Sequence, residues 1–163
     1  MILGDGFSFR GHTDDVLTVL PQERIWEDQD GNRLSALQLA KRNQPGQYTG
    51  IKPASYWGTC PLDLVDGVMT VYAGNGAGRY SQTYSTGNNS WITVYYYPWS
   101  SDSMKDIVRH LVFTEGVHFP VNSELLISGM SAIESVTLEE GVDTSDVESF
   151  SYAFSGAGAS LKK

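Results

Sequence analysis

The sequence predicts a β-rich α+β protein in which a β-hairpin capping segment leads into a truncated solenoid whose units pair a strand with a short helix. Three observations predict it. Residues 57–99 are dense in β-branched and aromatic side chains punctuated by turn signals. From residue 107 onward the sequence copies itself at a spacing near 25. Before residue 43 lies one stretch with the start and stop signals of a helix. The 163 residues, 40% hydrophobic and 18% charged, suffice for one sizeable core plus extras, with enough apolar surface to offset the entropy of ordering.

In chain order, residues 16–20 and 23–26 read as short strands. Asn32 is placed to cap a helix over 33–42, which finishes with Lys41 and Arg42 at its negative end. Leu34, Leu37 and Leu39, with Ala36 and Ala40, give that helix an apolar side too broad for a free-standing element, so it is expected to pack on the β-rich body. The loop from Asn43 to Gln47 carries a helix-breaking proline and a turn glycine. It divides the chain into an N-terminal α+β segment (1–50), a β-rich cap (51–106) and the repeat array (107–163).

Within the cap, 62–65 and 68–72 flank Asp66-Gly67 and form a hairpin, since Asp-Gly reaches the positive φ of a tight turn. Residues 73–79 and 80–89, heavy in glycine, serine and asparagine, are expected as exposed loops, and 91–99 as a strong strand. Gly74, Gly76 and Gly78 lack the spacing of a dinucleotide fingerprint, and no helical pattern follows to meet a pyrophosphate, so they read as a flexible loop.

The repeat is specific. His110 to Val117 aligns with Ser135 to Val142 at an offset of 25, the two Glu-Gly-Val triplets being identical. Each triplet is followed by a polar stretch and a small apolar cluster ending in Ser-Gly, at Ser128-Gly129 and Ser155-Gly156. An alternating strand such as Leu111 and Phe113, then a polar turn and a helical segment, is the pattern of a leucine-rich-repeat solenoid, whose units bury their apolar edge only against neighbours. Leu161 would take the part of Ile133 in a third unit. Fewer than about three units leave open ends. The hairpin-rich segment is placed to cover one, and an end-to-end partner copy is a cover for the other.

Asp143-Thr144-Ser145-Asp146-Val147, leading into Tyr152-Ala153-Phe154-Ser155-Gly156, resembles the repeat of BspA-like leucine-rich-repeat bacterial surface proteins. Asp146 stands where that family usually has Asn, Ala153 where it has Met, and Ala157 where Cys is common. Upstream, Trp57-Gly58-Thr59-Cys60-Pro61, Asp66-Gly67-Val68-Met69-Thr70-Val71 and Pro98-Trp99 are similar to the segment preceding the repeats. The resemblance covers about residues 57–161. It implies an extracellular, non-enzymatic protein, at the cell surface or secreted, that adheres to a host or neighbouring-cell protein or glycan.

Charge and chemistry narrow the classes. A net charge of −8, with −5 of it in residues 107–163, repels phosphate backbones and anionic membranes, and no apolar run is long enough to insert in a bilayer. Neither nucleic acid nor membrane insertion is expected. Residues 1–10 lack the basic start and apolar run of a signal peptide. Cys60 reads as a small apolar side chain beside Pro61. His12, His110 and His118 have no second ligand at metal-binding spacing, so no metal or cofactor is assigned, and His110 should face solvent by strand alternation. No serine sits in a nucleophile elbow. Glu115 and Glu140 would stand on adjacent units about 5 Å apart, near a retaining-glycosidase spacing. Their recurrence at one repeat position favours an architectural turn. Asp143 and Asp146 offer too few oxygens for calcium, and Asx-type turn bonding accounts for them. No catalytic residue is assigned.

Candidate contact residues fall in two places. Alternation puts Trp91, Thr93, Tyr95, Tyr97 and Trp99 on one face of the 91–99 strand and Ile92, Val94 and Tyr96 on the other. If the second face is core, four aromatics form an outward platform for protein or sugar. If the first is core, they are the cap's interior, the commoner fate of large aromatics. The exposed repeat face near His110, Val112, Ser135 and Thr137 is the other candidate, because solenoids bind through their sheets. The expected function is a non-enzymatic surface-binding or adhesion module. The alternatives are a carbohydrate-binding or glycan-processing module using the aromatic face, and a structural spacer within a larger surface protein.

Overall fold

A computed structural model describes residues 2–3, 20–87, 89–158 and 161. The strand expected at 16–20 lies outside them except for Leu20, which is in a bend. The N-terminal unit contains β1 (Ile2–Leu3), β2 (Ile25–Glu27), β3 (Arg33–Leu34), helix α1 (Ala36–Arg42), β4 (Gly46–Gln47) and β5 (Thr49–Ile51). β3, β2 and β5 make one antiparallel sheet, and β1 pairs with β4. Leu20, Trp26, Ala36, Leu39, Ala40 and Tyr48 are buried together as its core.

The helix is shorter than expected. Arg33 and Leu34 are held in β3 by pairing with Glu27 and Trp26, and the cap is Ser35, not Asn32. Ser35 Oγ accepts from the Gln38 backbone N–H at 3.0 Å while Gln38 Oε1 accepts from the Ser35 N–H at 2.9 Å, a reciprocal capping box. Asn32 instead belongs to the β2–β3 turn, where its amide and backbone N–H bond the Asp28 carboxylate.

The body begins with β6 (Ser55–Trp57), β7 (Cys60–Val65) and β8 (Val68–Val71), a meander in which the expected Asp66-Gly67 hairpin forms with both residues at positive φ. After β8 come β9 (Gly74–Asn75), β10 (Tyr80–Gly87), β11 (Ser90–Tyr96) and a 3₁₀ turn at Pro98–Ser100. Then follow β12 (His110–Phe113), β13 (Val117–His118) and β14 (Ser135–Leu138). The central sheet has the order β14-β12-β8-β7-β6. Its β8, β12 and β14 run parallel in register, so Val71, Phe113 and Leu138 share one row and Met69, Leu111 and Val136 another.

The strand-plus-helix leucine-rich-repeat solenoid is not what forms. Among the described residues the one α-helix is α1, ahead of the repeats, and the strands divide among five sheets, the largest of them mixed. Residues 124–129 and 151–156, where a repeat helix was expected, are consecutive turns. The backbone explains this. The N–H groups of Leu125, Ile127 and Gly129 donate to the carbonyls of Ser151, Ala153 and Ser155, so they are not available to close helical turns. Leu125 and Tyr152 also sit at φ +57° and +56°, which an α-helix of L-residues excludes.

The glycines at 74–78 are not a flexible loop either. Gly74 and Asn75 pair with Val117 and His118, and Gly76 lies so close to the Trp57 ring that a Cβ there would stand 2.4 Å from it. The main core gathers Trp57, Leu62, Val71, Tyr97, Trp99, Leu111, Phe113, Ile127 and Met130. The N-terminal unit is fastened to this body by ion pairs of Arg33 with Asp63 and of Lys41 with Glu115, and by Leu37 packed on Gly116.

Asp28 organises the β2–β3 turn, accepting from the Asn32 side chain and from the backbone N–H groups of Asn32 and Asp30, and it pairs with Arg42 of α1. The Asn32 side-chain bond, more than the backbone bonds and Arg42, lowers its pKa from 3.8 to about 2. A carboxylate lowered in the folded state stabilises above its unfolded pKa and loses that contribution as pH falls through the folded value. Urea midpoints should therefore decline between about pH 4 and about pH 2, with a smaller decline in Asp28→Asn than in the parent.

Candidate functional site: a tyrosine-lined cleft under an exposed hairpin

β10 and β11 form a two-stranded antiparallel sheet of their own, from Tyr80 paired with Tyr96 to Gly87 paired with Ser90. Residues 80–89, expected as a loop, are thus mostly strand. β-Branched and aromatic side chains on β11 supply cross-strand partners, such as Thr83 and Thr93 whose hydroxyls meet at 2.9 Å, and these outweigh the low strand propensity of the serines and glycine. Pairing in the main stack steps 42 residues from Val68 to His110 but only 25 from His110 to Ser135. The 17-residue difference matches the length of residues 80–96, so the hairpin is an insertion into one course of an otherwise regular stack.

Neither face of β11 enters the core. Trp91 is 69% exposed, Tyr95 59% and Ile92 52%. The expected row of four aromatics is split by Pro98. The strand ends at Tyr96, and the 3₁₀ turn carries Tyr97 and Trp99 inward, fully buried, with rings stacked at 5.2 Å and 2°. Tyr97 Oη donates to the Glu124 carbonyl and Trp99 Nε1 to that of Leu126. Burial also pushes the Tyr97 hydroxyl up to about 12. Trp91 and Tyr95 are available as contact residues; Tyr97 is a core residue.

The hairpin and the body together border an open cleft of about 890 Å³, within the roughly 300–1,000 Å³ of small-ligand sites. One wall is the hairpin face bearing Tyr80, Gln82, Tyr84, Val94 and Tyr96, and the lining continues through Ser100, which ends the 3₁₀ turn, and Ser101, Asp102 and Ser103 after it. Tyr80 is fixed at both ends of its hydroxyl, donating to the Tyr56 carbonyl at 3.2 Å and accepting from the Gly58 N–H at 3.1 Å. Tyr84 Oη donates to Gln82 Oε1 at 2.7 Å. The guanidinium of Arg79 lies 5.4 Å from the Tyr95 ring centroid. Tyr80, Gln82 and Tyr84 were missed in the sequence, although their i, i+2 spacing before the turn residues Gly87 and Asn89 is a hairpin signal.

The second expected surface lies on the central sheet. His110, Val112 and Ser135 are half-buried and Thr137 is exposed, all on the outward rows His110 with Ser135 and Val112 with Thr137. His110 does not simply face solvent: its Nδ1 is 2.9 Å from Ser135 Oγ and its Nε2 3.9 Å from Glu134. His110 and Ser135 thus form a hydrogen-bonded pair on this face.

Residues weighed for chemistry are engaged elsewhere. Cys60 is buried, which pushes its thiol up to about 12 and keeps it protonated at neutral pH. Glu115 is ion-paired with Lys41, and the carboxylate that reaches its backbone N–H is that of Glu139, at 3.3 Å, not Glu140. Asp143 accepts from the Ser145 N–H at 2.9 Å, an Asx-type turn that holds its pKa below the usual range, and it bonds His118 Nδ1 at 3.1 Å. Among the described residues no group of three or more His, Cys, Asp or Glu is arranged for a metal.

No family model, curated protein or solved structure matches the chain.

Exposure separates hairpin from core energetically. Trp91→Ala should change unfolding free energy by no more than about 0.5 kcal/mol, whereas Trp99→Ala should cost about 3–5 kcal/mol. Urea titrations followed by far-ultraviolet circular dichroism distinguish the two.

Proposed function

We propose that this protein is a non-enzymatic binding module that attaches to macromolecules on a cell surface through the β10–β11 hairpin. One observation carries the reading: the inserted hairpin leaves Trp91, Ile92 and Tyr95 more than half exposed on an element that contributes little to the core. Large apolar side chains held clear of a core favour contact with another molecule, and aromatic residues dominate contact energies. The two faces differ usefully. Ser81, Thr83 and Ser85 share the outer face with Tyr95, Thr93 and Trp91, so flat rings are interleaved with hydroxyls. The resemblance of residues 57–161 to BspA-like surface proteins supports the surface location and the adhesive role. The buried Cys60 thiol and the Lys41-bound Glu115 support a reading without catalysis.

Beads coated with the protein should adhere to cells, and the Trp91→Ala, Tyr95→Ala double variant should reduce retention at least about tenfold, the loss of one aromatic hot spot. Equal adhesion by parent and variant, or adhesion by neither, overturns the proposal. Matching circular dichroism spectra of the two proteins establish that the comparison is between folded molecules.

A further inference from the structure

We infer that the cleft beneath the hairpin binds a neutral oligosaccharide. The inference rests on the hairpin being the contact element and gives that element a ligand class.

Three features of the lining carry it. The first is aromatic: three tyrosines border the cleft from the inner hairpin face, with Tyr80 and Tyr96 as a tilted ring pair 6.3 Å apart and Tyr84 beyond them on the same wall. Pyranose rings present a flat C–H face that packs on such surfaces, and tyrosine adds a hydroxyl at the ring's edge. The second is hydroxyl-rich: five serines line the same space, together with the Gln82 amide. Serine hydroxyls and the amide both donate and accept, matching sugar hydroxyls that do the same and can rotate to suit.

The third feature is charge. Arg79 and Asp102 are the charged residues of the lining, and each is already compensated: Arg79 lies against Tyr95 and 3.9 Å from Glu124, and Asp102 is paired with Lys105 at 2.8 Å. With the whole chain at −8, nothing here draws in a sialylated, sulfated or phosphorylated ligand. A peptide fits less well. The wall of the cleft is the side-chain face of the hairpin and not its backbone edge, so a peptide's N–H and C=O groups would be desolvated without the strand partners they need.

The experiment is a glycan array carrying neutral gluco-, galacto-, manno- and N-acetylglucosamine oligomers of about two to four units, alongside sialylated and sulfated glycans, followed by titration calorimetry of the neutral hits. The expected result is binding of neutral glycans that Tyr84→Ala weakens at least tenfold and Glu140→Gln, exposed outside the hairpin and the cleft, leaves unchanged. Chemical-shift changes at Gln82 and Ser101 on addition of the hit provide a second readout if Tyr84→Ala unfolds the hairpin. Binding restricted to anionic glycans, no glycan binding, or binding lost in Trp91→Ala and kept in Tyr84→Ala overturns the inference. Bead adhesion that depends on Trp91 and Tyr95 while the array stays blank would sink the glycan assignment and leave the adhesive reading standing.

Discussion

The structure depends on one side chain, the indole of Trp57. Its ring makes edge contacts with Tyr97, Trp99, Phe113 and Phe119 at centroid distances of 5.1–6.1 Å, and its N–H donates to the Ala77 carbonyl at 2.5 Å. Those partners come from three stretches of chain, around Ala77, Tyr97–Trp99 and Phe113–Phe119. Gly76 belongs to the same arrangement, since any larger residue would collide with the indole. Edge-to-face packing is directional as well as apolar, so the cluster fixes angles between segments and not merely their proximity. β6, the strand carrying Trp57, closes one side of the central sheet, and the 3₁₀ turn that delivers Trp99 to the indole is also where the hairpin returns to the body.

The position of the candidate site follows from that cluster. Tyr97 and Trp99 bind the end of β11 to the core through buried hydrogen bonds to Glu124 and Leu126, so the hairpin is rooted at its base and free along its length. Tyr80 repeats the device at the start of β10. A site built this way combines a fixed floor with walls whose outer residues, Tyr84 and Val94, remain partly in solvent. The neighbouring stack is regular because each course satisfies the backbone of the one before it. Gly116 donates to Gly141, Phe119 to Asp143, Ser123 to Ser149, and onward to Gly129 and Ser155. A regular stack of this kind tolerates an insertion in one course, since the hydrogen bonds on either side of it are unaffected.

The acidity of the last third is reconciled by pairing between courses. Arg109 meets Glu134, and His118 meets Asp143, each pair 25 residues apart. The N-terminal unit adds Lys41 to Glu115 and Arg33 to Asp63. Surface pairs of this kind contribute at most about 1 kcal/mol each, so their role is to orient units whose cohesion comes from apolar burial. The fit of Leu37 against Gly116, where a Cβ would lie 2.4 Å from the leucine, shows that docking is steric as well as electrostatic.

The sequence by itself determined the local and the periodic. Asp66-Gly67 specified the β7–β8 hairpin because only residues tolerant of positive φ make that turn, and the Glu-Gly-Val repeat marked positions that occupy equivalent places, Gly116 and Gly141 sharing φ of +81° and +86°. Tertiary structure decided what depends on partners distant in the chain. Residues 124–129 and 151–156 form turns and not helices because the N–H groups of Leu125, Ile127 and Gly129 in the first are taken by the carbonyls of Ser151, Ala153 and Ser155 in the second. The helix starts at Ala36 because Arg33 and Leu34 are claimed by β2. Whether an aromatic on an alternating strand is core or surface is not a property of alternation. It depended on where the strand stopped, and here Pro98 divided one row, sending Trp99 inward and leaving Trp91 in solvent.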